Sequence, residues 1–439
     1  MASAVFPNGV KTWTDKVNGM DDVSADHINE AYAEIIAIEN QFKIQFDEMG
    51  IYGLRHKIST DSYTRLNNAV GKVANPNGAL NDFDNIMPWA GIKRCNLADD
   101  LSINAYYGDT SYIEDGSNGQ VMVEVPVFYY KRYYVGTDDI YTYISPLPIS
   151  GFKRHPWFYD ANGNPVDKKY FSAYEGSLYD VSASAYILND SQVADFTATT
   201  GDKLCSVANA KPCSGQVQNL TLPNSRILAR NRGNDWQQQY FNAVSAIQML
   251  FSVEYASFNS QSKIGLGVVN KADDGATNCS IVTGGTASLG NKSGKAVGTD
   301  GLVSISYRGI ENFWGNIWKW VDGINISNTS AFVSKINGNF ASDVFSGSYK
   351  NVGQTLKNAN GYFSKSILNY NTDFAFLPGD AVGTSNSYFA DYFYQNGVGS
   401  FVALLGGGWS GGARAGAFSW SVDGGSSDRS RTVGARLCV

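Results

Sequence analysis

The sequence predicts an α+β fold in which short strands outnumber helices, and three observations carry that prediction. Glycine is abundant at 46 residues and aromatics reach 13%, a mixture suited to tight turns and half-buried strands. Asp-Gly and Asn-Gly pairs begin at Asp115, Asn118, Asn162, Asp274, Asp300, Asp322, Asn337 and Asn360, marking turns along most of the chain. A long helical period of apolar residues occurs in only two stretches. With 439 residues there is chain enough for two or three domains of ~100–200 residues each.

The first long helical stretch lies in residues 1–57. Ile28, Ala31, Ile35, Ile38, Phe42 and Phe46 recur every three or four residues and place a stripe along one helix face. Ser24 or Asp26 can cap it, Glu30 sits near its positive end, and Gly50 and Gly53 break it. A stripe without an obvious partner helix predicts a segment for self-association or docking. Residues 58–119 read as a small intermediate module. There Tyr63, Leu66, Val70 and Val73 predict a shorter helix over 61–73, ended by the Asn75-Pro76-Asn77-Gly78 turn.

Residues 120–439 have a β texture. The run from Val121 to Val135 is β-branched and aromatic, with Pro126 pointing to an edge or a bulge. One strong helix interrupts it, with Trp236, Tyr240, Val244, Ile247, Phe251 and Tyr255 as a core face and Asn234 or Asp235 as cap. Trp318 and Trp320 alternate onto one strand face. Gly406-Gly407-Gly408-Trp409 predicts a strand that another backbone or ring approaches closely, and residues 433–437 a buried closing strand.

Several chemistries are disfavoured by composition. A net charge of −6 without a basic stripe argues against nucleic acid. No apolar run approaches the ~18 residues of a membrane span, and no secretory leader is recognisable. The five cysteines (Cys95, Cys205, Cys213, Cys279, Cys438) lack zinc or disulfide spacing and read as buried thiols. His27, His56 and His155 have no triad or metal motif around them. The pairs Asp99-Asp100, Asp138-Asp139 and Asp273-Asp274 are sequence neighbours rather than carboxylates facing one cleft. No phosphate loop or dinucleotide fingerprint is present.

Four segments carry a family resemblance: KKYFSAYEGS (168–177), QYFNAVSAIQMLFSVEYASFNSQSKIG (239–265), RGIENFWGNIWKWVDGI (308–324) and LLGGGWSGGARAGAFSWSVDGGSSDRSRTVGARL (404–437). In this order they resemble the C-type-lectin-like domain of phage receptor-binding proteins. The variable proteins of diversity-generating retroelements and the formylglycine-generating enzymes share that fold. The stretch 89–131 is similar to what precedes this domain in phage tail proteins, and 22–35 to the virion-proximal start of tail fibres. The resemblance implies a C-type-lectin-like domain over 120–439 and a place in the virion. It also implies a homotrimer attached to the tail through its N-terminus, with a bacterial surface receptor as partner. The calcium-lectin signatures Glu-Pro-Asn and Trp-Asn-Asp are absent, and Cys438 has no cysteine nearer in sequence than Cys279. Neither a metal, a cofactor nor catalysis is therefore expected. A bacterial display protein of the same fold, or a formylglycine-generating-type enzyme, is the alternative.

Loops rich in Tyr, Trp, Ser and Asp have the chemistry of a binding surface, because rigid rings supply contact area and small polar groups adaptable hydrogen bonds. The expected receptor contacts are Tyr388, Asp391, Tyr392, Tyr394, Arg414, Trp420, Asp423, Ser426, Ser427, Asp428 and Arg429. By analogy with the retroelement proteins, variation would fall on this last region.

Overall fold

The computed structural model describes residues 28–38, 50–369, 372–395 and 397–439. The fold is β-rich with few helices, 31% strand against 15% helix, which agrees with an α+β or mostly β class. Residues 28–38 form a helix, α1, whose Ile28, Tyr32, Ile35 and Ile38 are exposed. The rest of the expected stripe, Phe42 and Phe46, lies outside the described residues, as do Ser24, Asp26 and His27.

The three largest of six sheets among the described residues build the body. The first orders Ser62–Asn67, Tyr52–Lys57, Asp139–Ser145, Tyr129–Val135 and Lys153–Arg154. The second orders Gln237–Gln238, Leu437–Cys438, Lys168–Ser172, Gln120–Pro126, Lys93–Leu97 and Ile103–Tyr106. The third is the largest. It runs Tyr349–Thr355, Ser330–Ser334, Trp318–Ser327, Ser400–Leu405, Trp420–Gly424, Tyr392–Tyr394 and Gly361–Tyr362, with Val433–Gly434 parallel to the start of Trp318–Ser327. The expected borders at 57/58 and 119/120 both run through hydrogen-bonded sheets. Tyr52–Lys57 pairs with Asp139–Ser145, and Lys93–Leu97 with Gln120–Pro126.

Besides the short helix α2 (Leu222–Arg230), α3 (Phe241–Tyr255) threads the centre, against strands of the first and third sheets. Every one of its residues is buried, so it has no solvent face. Large side chains such as Phe251 contribute ~1.5–3 kcal/mol each by burial. Its polar residues are matched instead of exposed: Gln248 Nε2 donates to the Ala417 carbonyl at 2.7 Å, and Glu254 anchors an ionic cluster.

Four local expectations need correction. The helix over 61–73 is a strand, Ser62–Asn67, because Asp61 turns the chain with φ 45° and His56 then stacks on Tyr63 at 4.6 Å across the hairpin. The long helix begins at Phe241 rather than near Asn234, since Gln237–Gln238 pairs with Leu437–Cys438. Gly406 and Gly407 follow the strand Ser400–Leu405 as a loop with φ +97° and +84°. Pro126 ends an internal strand and marks no edge.

The closing segment divides in two: Val433–Gly434 joins the third sheet, and Leu437–Cys438 the second, where Cys438 faces Phe171.

Candidate functional site

The strand Tyr392–Tyr394 alternates outward, inward, outward, so Phe393 enters the core while Tyr392 and Tyr394 share the other face. Their rings lie 4.7 Å apart. Tyr362, on the neighbouring strand, meets Tyr392 edge-on at 5.1 Å, and Trp318 meets Tyr394 edge-on at 5.9 Å. Arg414, exposed on the turn Gly412–Arg414, holds its guanidinium 5.1 Å over the Tyr392 ring. Burial raises the Tyr394 phenol above its ordinary value, with hydrogen bonding to Arg414 opposing it.

Trp318, Tyr394 and Arg414, with Gly407, Gly408 and Thr432, line a recess of about 250 Å³, and Tyr392 and Tyr362 continue the ring cluster beside it. Its floor requires glycine: a Cβ on Gly407 would stand 2.5 Å from that of Ala415. Rings, phenolic hydroxyls and a cation over a backbone floor can stack on a flat or apolar group and hydrogen-bond its edge.

The other expected contacts sit elsewhere. Asp423, Ser427, Asp428 and Arg429 are exposed on a polar turn. Asp428 accepts from the Gly425 amide at 2.8 Å, Ser426 donates to Asp343 at 2.9 Å, and Arg429 bonds Asn219. Tyr388 is half-buried against the first hairpin, where its amide donates to Asp61 at 2.6 Å.

Two expected contacts are inside the protein. Trp420 is fully buried, because the strand alternation turns it and Val422 inward, and its Nε1 donates to the Phe376 carbonyl at 3.0 Å. Asp391 is 1% exposed, its carboxylate accepting from the Phe418 amide at 2.6 Å. Burial pushes its carboxyl well above the usual range. Neither side chain reaches the surface. Conversely, Trp318 and Tyr362 were missed. Trp318 opens the alternating Trp-Lys-Trp run, at the strand end where a ring is only partly covered. Tyr362 had no local signal.

Among the described residues, one group of three ligand-type side chains is close enough to hold a metal: Asp273, Asp274 and Cys279. Arg431 already contacts Asp273 at 2.5 Å and Cys279 at 2.7 Å, and Lys271 pairs with Asp274. The cluster is a cation-matched turn. All five cysteines are buried and unbridged. Among the described residues no helix is long and apolar enough to cross a membrane. No family model matches the sequence, and no curated protein matches it.

Proposed function

We propose that this chain is a phage tail receptor-binding protein whose residues 120–439 form a C-type-lectin-like domain, and that it adheres to a bacterial surface receptor without catalysis. The observation that carries the reading is the aromatic cluster of Trp318, Tyr362, Tyr392, Tyr394 and Arg414, which borders the recess. It gathers the residue types that dominate binding hot spots on rigid strand backbone. The exposed apolar side chains of α1 support a role in joining copies, a homotrimer by analogy with tail fibres, or in docking to the tail. Three linked sites of modest affinity would gain ~10²–10⁴ in avidity. The thiols argue against formylglycine-type chemistry: burial pushes Cys95 and Cys438 up to about 12, far from reactive thiolates.

Labelled full-length protein applied to a panel of bacterial strains tests the reading. Saturable binding to some strains, displaced by unlabelled protein, is expected; absence of displaceable binding on every strain overturns it. Diversification of the exposed turn 423–429 belongs to the same proposal. Sibling genes should differ mainly after Tyr388, and an even scatter over 121–439 would remove this part.

A further inference from the structure

A second cavity, of about 480 Å³, lies between residues 153–159, 333–335 and 372–374 and the first turn of α3. It shares no lining residue with the aromatic recess. Its charge is lopsided. Asp373 is already matched, accepting from the Tyr130 hydroxyl and from Lys153 Nζ, each at 2.6 Å. Lys335 and Lys350 also line the cavity, and among the described residues neither has a carboxylate at ion-pair distance. Burial holds the Lys335 ammonium below its ordinary value; Asp373 opposes it, and the Lys153 and Lys350 charges add smaller lowering contributions. An anion between the lysines would reverse that.

Two of the lining side chains are buried and polar with an oxygen left unpartnered. Asn242 is 5% exposed and its Oδ1 has no partner. Its orientation is fixed from behind. Asn337 Nδ2 donates to the carbonyls of Pro156, Trp157 and Tyr159, so Asn337 Oδ1 must accept, and it does so from Asn242 Nδ2 at 2.8 Å. The unmatched Asn242 atom is therefore an acceptor. Thr372, 3% exposed, likewise lines the cavity with an unpartnered Oγ1. A buried acceptor left unmade costs ~1–3 kcal/mol, which a ligand hydroxyl would recover. No side chain caps α3, so its N-terminus adds partial positive charge. Tyr130, Tyr159 and Phe374 supply apolar ring surface.

A ligand that meets all of this has an anionic group, hydroxyl donors and an apolar face, in a volume suited to one or two sugar rings. We propose that this cavity binds an acidic sugar, its carboxylate between Lys335 and Lys350 and its hydroxyls donating to Asn242 Oδ1 and Thr372 Oγ1. Inorganic phosphate would meet the lysines and leave the ring surface unused; a neutral sugar would leave the charge unmet. The inference does not rest on the adhesin reading.

Calorimetric titration of the full chain with glucuronate, N-acetylneuraminate, glucose and inorganic phosphate tests it. At least one acidic sugar should bind saturably, roughly tenfold or more tighter than glucose or phosphate, the equivalent of one charge-assisted contact. Lys335→Glu/Lys350→Glu, at exposed positions, should weaken that binding by roughly tenfold or more, while Tyr392→Ala/Tyr394→Ala leaves it unchanged. Should the lysine variant fail to fold, Thr372→Val removes one hydroxyl at nearly constant volume and should weaken binding measurably. No saturable binding of either acidic sugar overturns the proposal. So does phosphate binding as tightly as the sugars, or undiminished binding by the folded variants.

Discussion

Replacing Arg308 by methionine should destabilise the protein far more than the loss of an ordinary ion pair. Arg308 and Glu254 are 4% and 0% exposed and meet through two bonds, Nε to Oε2 at 2.7 Å and Nη2 to Oε1 at 2.8 Å. Tyr307 Oη donates to Oε2 at 2.9 Å and Asn81 Nδ2 to Oε1 at 2.8 Å, while Arg308 Nη1 reaches the Trp89 carbonyl at 3.2 Å. The cluster thus fastens residues 81–92 to the end of α3. Burial alone would lower the Arg308 guanidinium, but the Glu254 charge and hydrogen bonds hold it above its ordinary value. Arg308→Met strands a buried carboxylate on two neutral donors, and removing one partner of a buried pair costs about 3–5 kcal/mol. Urea unfolding at neutral pH, followed by tryptophan fluorescence, measures it. Adding Glu254→Gln removes the stranded charge while keeping an acceptor for Tyr307 or Asn81, and should restore about half of the loss. A loss below ~1 kcal/mol, the value of an exposed pair, would refute the reasoning, as would a double variant no more stable than the single one.

Other groups give sharper pH signatures. The fold favours the neutral form of Asp391, so the stability it contributes is present in acid and falls as pH rises through its raised value. Asp391→Asn should therefore be more stable than the parent near neutral pH and draw level in acid; a variant destabilised equally at every pH would contradict this. Burial lowers His155 to about 3. Its neutral form is required, so stability falls as pH drops from the ordinary ~6.5 towards that value. His155→Asn keeps an acceptor for the Trp157 amide, which now donates to Nδ1 at 3.3 Å, and should move the acid-unfolding midpoint to lower pH. An unmoved midpoint excludes His155 as a trigger. Finally, a thiol reagent should find none of the five cysteines in the native protein and all of them in denaturant; rapid native labelling would contradict their burial.

The parts of the fold legible in sequence were those where one period dominates. The apolar spacing of Val244, Ile247 and Phe251 located α3, and the alternation of Trp318 and Trp320 located a strand. What periodicity could not convey is pairing. Tyr63 and Leu66 fit a helix, but Ser62–Asn67 lies in register with Tyr52–Lys57, and that partner decides its conformation. The start of α3 at Phe241 has the same cause, because the C-terminal residues Leu437 and Cys438 claim Gln237 and Gln238 as a strand.

The site was half legible. Tyr392, Tyr394 and Arg414 do converge, yet Trp318 and Tyr362 reach them from 74 and 30 positions earlier than Tyr392 in the chain, beyond any local signal. Trp420 could have been placed correctly: Trp420 and Val422 against Ser421 and Asp423 is a two-residue alternation with an apolar side. Asp391 could not, since a carboxylate in a polar-aromatic segment gives no sign that an amide 27 residues away has enclosed it.

The most direct test of the central claim compares two variants in the same bacterial binding assay. Tyr392→Ala/Tyr394→Ala/Arg414→Ala dismantles the aromatic cluster and one wall of the recess, and Asp423→Ala/Asp428→Ala alters only the polar turn. With both variants folded, binding should be lost with the cluster variant and retained with the turn variant. Full binding by the cluster variant would contradict the account and move the contact surface away from these residues.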